Sequence, residues 1–128
     1  MPELPEVETI KSSLAVNIGA RIAGVELRRD DIVRRGDYPV DKLPGRKIEN
    51  ITRRGKFIIL VLDEGYYLIA HLGMSGRLYM METKSEIVER HVHFVLYLDN
   101  DRKIVYQDAR RFGGIWFCLD IDSFFNRM

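Results

Sequence analysis

Residues 56–72 read KFIILVLDEGYYLIAHL. Phe57–Leu62 is an unbroken apolar run, the pattern of a short strand buried on both faces. Asp63-Glu64-Gly65 then supplies turn residues. Tyr66–Leu72 returns as the partner strand. A strand, a tight turn and a second strand within seventeen residues predict an antiparallel sheet.

Working outward, the strand pattern persists on both sides. Arg21–Arg29 alternates loosely through Ile22, Val25 and Leu27, and Lys47–Thr52 leads into the hairpin. After it, Gly73–Gly76 interrupts the second strand and Arg77–Met81 continues it. Lys84–Glu89 is polar and reads as a loop. His91–Leu98 and Lys103–Gln107 are strands around the turn Asp99-Asn100-Asp101, and Gly114–Leu119 is the last strand. Residues 30–44 are turn-rich, with a short helical turn at Val40–Leu43. Only the first segment has a helical period: Val7, Ile10, Leu14 and Ile18 form one stripe. Pro5 suits the first turn, Glu6 and Glu8 the positive end of the helix dipole, and Gly19 the stop. Asp122–Met128 reads as the start of a helix or linker. One helix with seven or eight short strands at hairpin spacing predicts an α+β, mainly β chain: an antiparallel β-sandwich.

Composition narrows the class. The chain has 128 residues, 46% of them apolar, enough for one domain core and unlike a disordered chain. No apolar run approaches the roughly 20 residues that span a bilayer. The start, MPELPEVET, lacks the apolar core of a secretory signal. A single cysteine, Cys118, excludes an internal disulfide and a multi-cysteine zinc site within these residues. These features fit a reducing cytoplasm. The net charge is +1, yet residues 21–56 carry eleven Lys/Arg against six Asp/Glu. Such an excess marks a basic patch or a solvated strand face.

Several residues have chemistry to offer. If Met1 is trimmed, Pro2 becomes a secondary α-amine, with a reference pKa of about 7.7–8.0. Such an amine can attack an electrophilic sugar carbon and form an iminium; Pro2 equally suits a residue that simply precedes a helix. Glu3 is adjacent to it and suits a general acid, while Glu3, Glu6 and Glu8 also suit helix electrostatics. Arg53-Arg54-Gly55-Lys56 sets a basic cluster at the mouth of the buried strand. Lys56 there fits a phosphate contact, a proton donor or a solvated gatekeeper. In His71-Leu72-Gly73-Met74-Ser75-Gly76, two glycines flank a Met that can wedge between bases or fill a bulge. His91 and His93, two apart on a strand, share a face, without a third ligand for a metal. Asp108-Ala109-Arg110-Arg111-Phe112-Gly113-Gly114 sets arginines and an aromatic in one loop, fit for base edges, phosphates or stacking.

Taken in order, MPELPEVET, RRGKF, HLGMSG and DARRFGG resemble the N-terminal domain of bacterial formamidopyrimidine-DNA glycosylase. The resemblance runs from Pro2 to about Leu119. It implies a catalytic domain over residues 1–119, with 120–128 opening a linker to a helix–two-turns–helix and four-cysteine zinc-finger domain absent from this chain. It implies base-excision repair of oxidised purines, 8-oxoguanine and formamidopyrimidines, by a bifunctional glycosylase and abasic-site lyase. Pro2 resembles the nucleophile on the helix, Glu3 the acid and Lys56 the lysine of β-elimination. His91 and Arg110 resemble DNA-binding positions. Met74, Arg110 and Phe112 resemble the trio that fills the gap left by an extruded base. His71 and Glu6 are further site candidates.

The implied partner is double-stranded DNA bearing oxidised purines or abasic sites, with no membrane, a monomeric state and a cytoplasmic, nucleoid-associated location. No cofactor is expected in this chain, since zinc belongs to the missing domain, and the isolated chain is expected to be weak or inactive. The competing class is a truncated, non-catalytic DNA-binding module; retention of Pro2, Glu3 and Lys56 argues against it.

Overall fold

In the computed structural model, which describes residues 4–28, 40–110 and 113–126, eight strands form two four-stranded antiparallel sheets. The strands are β1 (Ile22–Leu27), β2 (Ile48–Arg54), β3 (Phe57–Leu62), β4 (Tyr67–His71), β5 (Gly76–Glu82), β6 (Val92–Leu98), β7 (Arg102–Asp108) and β8 (Gly114–Cys118). One sheet has the order β1-β6-β7-β5, the other β2-β3-β4-β8. Helices α1 (Leu4–Leu14) and α2 (Ile121–Asn126) flank them. The sandwich expected from the strand spacing is the observed fold.

The residues of 56–72 explain the second sheet. β2 and β3 are joined by Gly55-Lys56 alone, with Arg54 opposite Phe57. Gly55 has φ +60, while Lys56 is not among the positive-φ residues. That is the pattern of a type II′ turn, whose twist matches the flanking strands. Phe57 then pairs with His71, and His71 with Gly114 across the sheet. Ile58, Leu60 and Leu62 face the core between the sheets, where they meet Phe94, Leu96, Ile104 and Tyr106 of the other sheet. Ile59 faces outward and is still only 3% exposed, because α2 lays Phe124 over that face. FIILVL is therefore buried on both sides.

Three expectations need correction. The interruption at Gly73–Gly76 is not a break in one strand: β4 and β5 belong to different sheets, and the turn carries the chain across the core. The helical stripe ends early. α1 stops at Leu14, a 3₁₀ turn follows over Ala15–Asn17, and Ile18 is extended and 42% exposed. The buried Asn17 donates its side-chain amide to the Leu14 carbonyl, which competes with continued helix. Finally, His91 and His93 do not share a strand face. His91 precedes β6 with φ +63 and is exposed, whereas His93 is buried. A left-handed residue breaks the two-residue alternation on which that expectation rested.

α1 packs on β2 and β5, the edge strands of the two sheets, and so closes the seam between them. Val7 and Leu14 are its fully buried contributions. Leu60 sits at the centre of the inter-sheet core at 2% exposure. Leu60→Ala should cost about 2–5 kcal/mol. Urea unfolding should show a lower midpoint with an unchanged slope.

Candidate functional site

The register gathers the quoted motifs at one end of the sandwich. In one sheet the Gly55-Lys56 turn, His71 and Gly114 lie in successive rows. In the other, Gly76 opposes Asp108 and Val92 opposes Gln107, so β5 and β6 begin where β7 ends. Lys56, His71, Met74, His91 and Arg110 thus meet at the same end, though they are spread over more than fifty residues of chain. Met74 is 48% exposed at the tip of its turn, unusual for a large apolar side chain. His91 and Arg110 are exposed, and Lys56 and His71 are half-buried. Glu6 is exposed on the first turn of α1. Pro2, Glu3 and Phe112 lie outside the described residues.

Hydrogen bonds join the two loops. Ser75 Oγ donates to Asp108 Oδ1 at 2.6 Å and accepts the backbone N–H of Arg110 at 3.1 Å. Asp108 Oδ2 accepts from Tyr106 OH and from the Gly113 N–H, each at 2.9 Å. The approach is close enough to dictate glycine. A Cβ on Gly113 would lie 2.1 Å from the His71 carbonyl oxygen, and one on Gly76 would lie 2.2 Å from that of Leu72.

The basic cluster divides. Arg53 Nε donates to Glu8 Oε2 at 2.6 Å, and its terminal nitrogen donates to the Gly55 carbonyl at 3.0 Å. Glu8 also pairs with Lys11 at 2.7 Å, and the hydrogen bonds from Lys11 and Arg53 hold its carboxyl below the usual range. These contacts tie α1 to the turn that carries Lys56. Arg54 instead stacks over the Phe125 ring of α2 at 4.2 Å. Phe125 meets Phe57 edge-on at 5.1 Å, and Phe57 in turn lies 4.6 Å from the His71 ring. The catalytic candidate Lys56 is therefore braced on one side by α1 and on the other by α2.

His71 has a defined protonation state. Its Nδ1 accepts the Gly73 N–H at 3.2 Å, which requires the neutral ring with the proton on Nε2. Burial pushes its pKa down, the Lys56 charge adds to this, and Asp108 opposes it.

Sequence reading missed Asp108, Ser75 and Tyr106 as a unit. The signal existed: Ile104, Tyr106 and Asp108 alternate on β7, which puts a carboxylate on the core-facing side. No helix among the described residues is long and apolar enough to cross a membrane. One cysteine, buried on β8, does not fit a four-cysteine zinc site, so no step here runs through zinc.

The family model described as the formamidopyrimidine-DNA glycosylase N-terminal domain matches residues 1–115. The chain belongs to the formamidopyrimidine-DNA glycosylase family. The enzyme of that name from Syntrophomonas wolfei is 52% identical over 128 residues, which is all of this chain and 48% of the relative. The one from Rickettsia bellii is 42% identical over 118 residues, covering 91% of this chain and 43% of the relative. The chain thus spans about half the length of the curated relatives it matches. Among solved structures, a Lactococcus lactis formamidopyrimidine-DNA glycosylase complexed with FAPY-dG DNA superposes with a TM-score of 0.86 and 30% identity. That match covers 98% of this chain and 47% of the other. The same enzyme bound non-covalently to abasic-site DNA gives 0.87 and 29% identity, covering 98% and 49%.

The neutral state of His71 sets a sign for pH. A histidine with a depressed folded pKa stabilises fully above its unfolded value near 6.5, and that contribution is lost as pH falls through the folded value. An NMR titration should place the His71 midpoint below 6.5. Lys56→Gln should move it back upward, because the nearby positive charge is gone.

Proposed function

We propose that this chain carries the amine and lysine chemistry of a DNA glycosylase and abasic-site lyase acting on oxidised purines. The observation that favours this most is the meeting of HLGMSG and DARRFGG in space. An exposed apolar Met74 and an exposed Arg110 are held together beside Lys56 and His71. An apolar wedge and a multi-donor cation fit the gap left when a base leaves the duplex stack, and such fillers offset an unstacking cost of a few kcal/mol.

Pro2, once Met1 is removed, attacks C1′ of the damaged nucleoside with its lone pair. The C1′–N bond to the base breaks, and Glu3 protonates the sugar ring oxygen. The ring opens to an iminium that links protein and DNA. Proton loss at C2′ then expels the 3′ phosphate in β-elimination, and δ-elimination expels the 5′ phosphate. Lys56 serves the elimination and the adjacent phosphate. Arg53 and Glu8 support this reading by tying the helix that follows Pro2 to the Lys56 turn. His71, His91 and Phe112 complete the DNA-facing set, Phe112 with Met74 and Arg110 as gap fillers, and Glu6 is a further site candidate.

On this reading these residues form one wall of the DNA cleft and act weakly alone. Binding to duplex should be strongly salt-dependent, with a slope of log K against log salt of about −2 to −4 for two to four phosphate contacts.

Borohydride trapping on an abasic-site duplex tests the chemistry, because it bypasses recognition of the oxidised base. The protein sample is first shown by intact mass to lack Met1. The amine adds to the C1′ aldehyde, water leaves, and hydride reduces the iminium to a stable tertiary amine. An adduct mapping to Pro2 is the expected result. Protein retaining Met1 should give none, since Pro2 is then an amide. An adduct at a lysine instead would sink the assignment of Pro2.

A further inference from the structure

We propose that Asp108 is a positioning residue for gap filling, its buried carboxylate holding the Met74 turn and the Arg110 backbone in the one arrangement that fills an emptied base position. This rests on the reading of Met74 and Arg110 as gap fillers and names the group that makes them act together.

Asp108 is 0% exposed. A carboxylate without solvent is costly unless its oxygens are satisfied. Here Oδ1 accepts from Ser75, and Oδ2 from Tyr106 and Gly113. The donors come from three places: the turn that crosses between β4 and β5, β7 itself, and the residue just before β8. Its backbone reaches two more. Asp108 N–H donates to the His91 carbonyl at 3.0 Å, and its own carbonyl lies 2.7 Å from His93 Nε2. Among the described residues, Asp108 therefore joins the Met74 turn, the segment entering β6, the end of β7 and the residue before β8.

The bonds are directional in a way that packing is not. The Ser75 hydroxyl has a single proton. Committed to Asp108, it presents lone pairs to the Arg110 N–H. Asp108 thus sets the polarity of Ser75, and Ser75 sets the backbone at Arg110. Met74 is bonded directly to Ser75 along the chain. An apolar residue at position 108 could fill the volume, but it could not orient that hydroxyl or hold the Gly113 N–H. Tyr106 OH also lies 3.3 Å from the His71 carbonyl, so the same knot reaches the strand that ends in His71.

The test uses Ser75→Ala, Asp108→Asn and Met74→Ala in the present chain. Two quantities are read for each. One is the ratio of affinities for a duplex with a tetrahydrofuran abasic analogue and for the undamaged duplex. The other is the fluorescence of 2-aminopurine opposite the analogue, which reports what fills the gap.

Ser75→Ala removes one half-buried hydroxyl and keeps the fold testable if Asp108→Asn does not. Ser75→Ala should lower the affinity ratio about five- to tenfold and weaken the fluorescence change. Its affinity for undamaged duplex should stay within about twofold. Asp108→Asn, where folded, should lose more of the ratio. The proposal is overturned if Ser75→Ala keeps both readouts while Met74→Ala loses them. It is equally overturned if Ser75→Ala weakens both duplexes alike, since that is general loosening. If Met74→Ala itself keeps the full ratio, the gap-filling reading fails first and this proposal with it.

Discussion

The chain crosses from one sheet to the other between His71, where β4 ends, and Gly76, where β5 begins. The rest of the molecule depends on that short passage. The chain passes between the sheets three times, from β1 to β2, from β4 to β5 and from β7 to β8, and the β4–β5 passage takes only four residues. Gly76 N–H bonds back to the Leu72 carbonyl at 2.7 Å, and any side chain at Gly76 would strike that carbonyl. The tight turn pushes Met74 into solvent while Leu72 is fully buried. An apolar residue is thus exposed by the same geometry that seals the core.

Around this crossing, the two outer sheet faces are covered by different means. α2 covers the β2-β3-β4-β8 face with an aromatic cluster of Phe57, Trp116, Phe124 and Phe125. The other sheet packs Ile87 onto Val92, Val95 and Val105, while the buried ammonium of Lys103 donates to the carbonyls of Thr83 and Ser85. The aromatic cover has consequences for chemistry, because Phe57 follows Lys56 directly and touches His71. The turn bearing the lysine is pinned by α1 through Arg53 and by α2 through Arg54. A charged side chain whose turn is held on both flanks has less ordering left to undergo on binding a ligand.

Polar groups follow the same economy. Arg53 and Arg54 belong to a basic cluster in the sequence, yet Arg53 pairs with Glu8 and Arg54 lies over the Phe125 ring. Asp108 looks like a loop residue, yet it is buried and both of its carboxylate oxygens accept hydrogen bonds. Charge near a motif is a weak guide to which groups face a partner. What decides is whether another element of the chain already supplies the counter-charge or the ring.

The sequence by itself determined the local structure and the family. Strand alternation, the Gly55 and Asp63–Gly65 turns, and the stripe of Val7, Ile10 and Leu14 are set by near neighbours, and the four ordered motifs needed no coordinates. Only the tertiary structure decided which strands share a sheet, because alternation tells which face a residue takes and not which strand lies beside it. It also decided that Ile18 leaves the helix, where the buried Asn17 competes for the Leu14 carbonyl, and that His91 and His93 part company at a left-handed residue. Above all it decided that Ser75, Tyr106, Asp108 and Gly113 form one bonded group. Those four are spread over 39 positions of the chain. Hydrogen bonds between segments so far apart depend on the crossings of β4 to β5 and of β7 to β8, which no local pattern encodes.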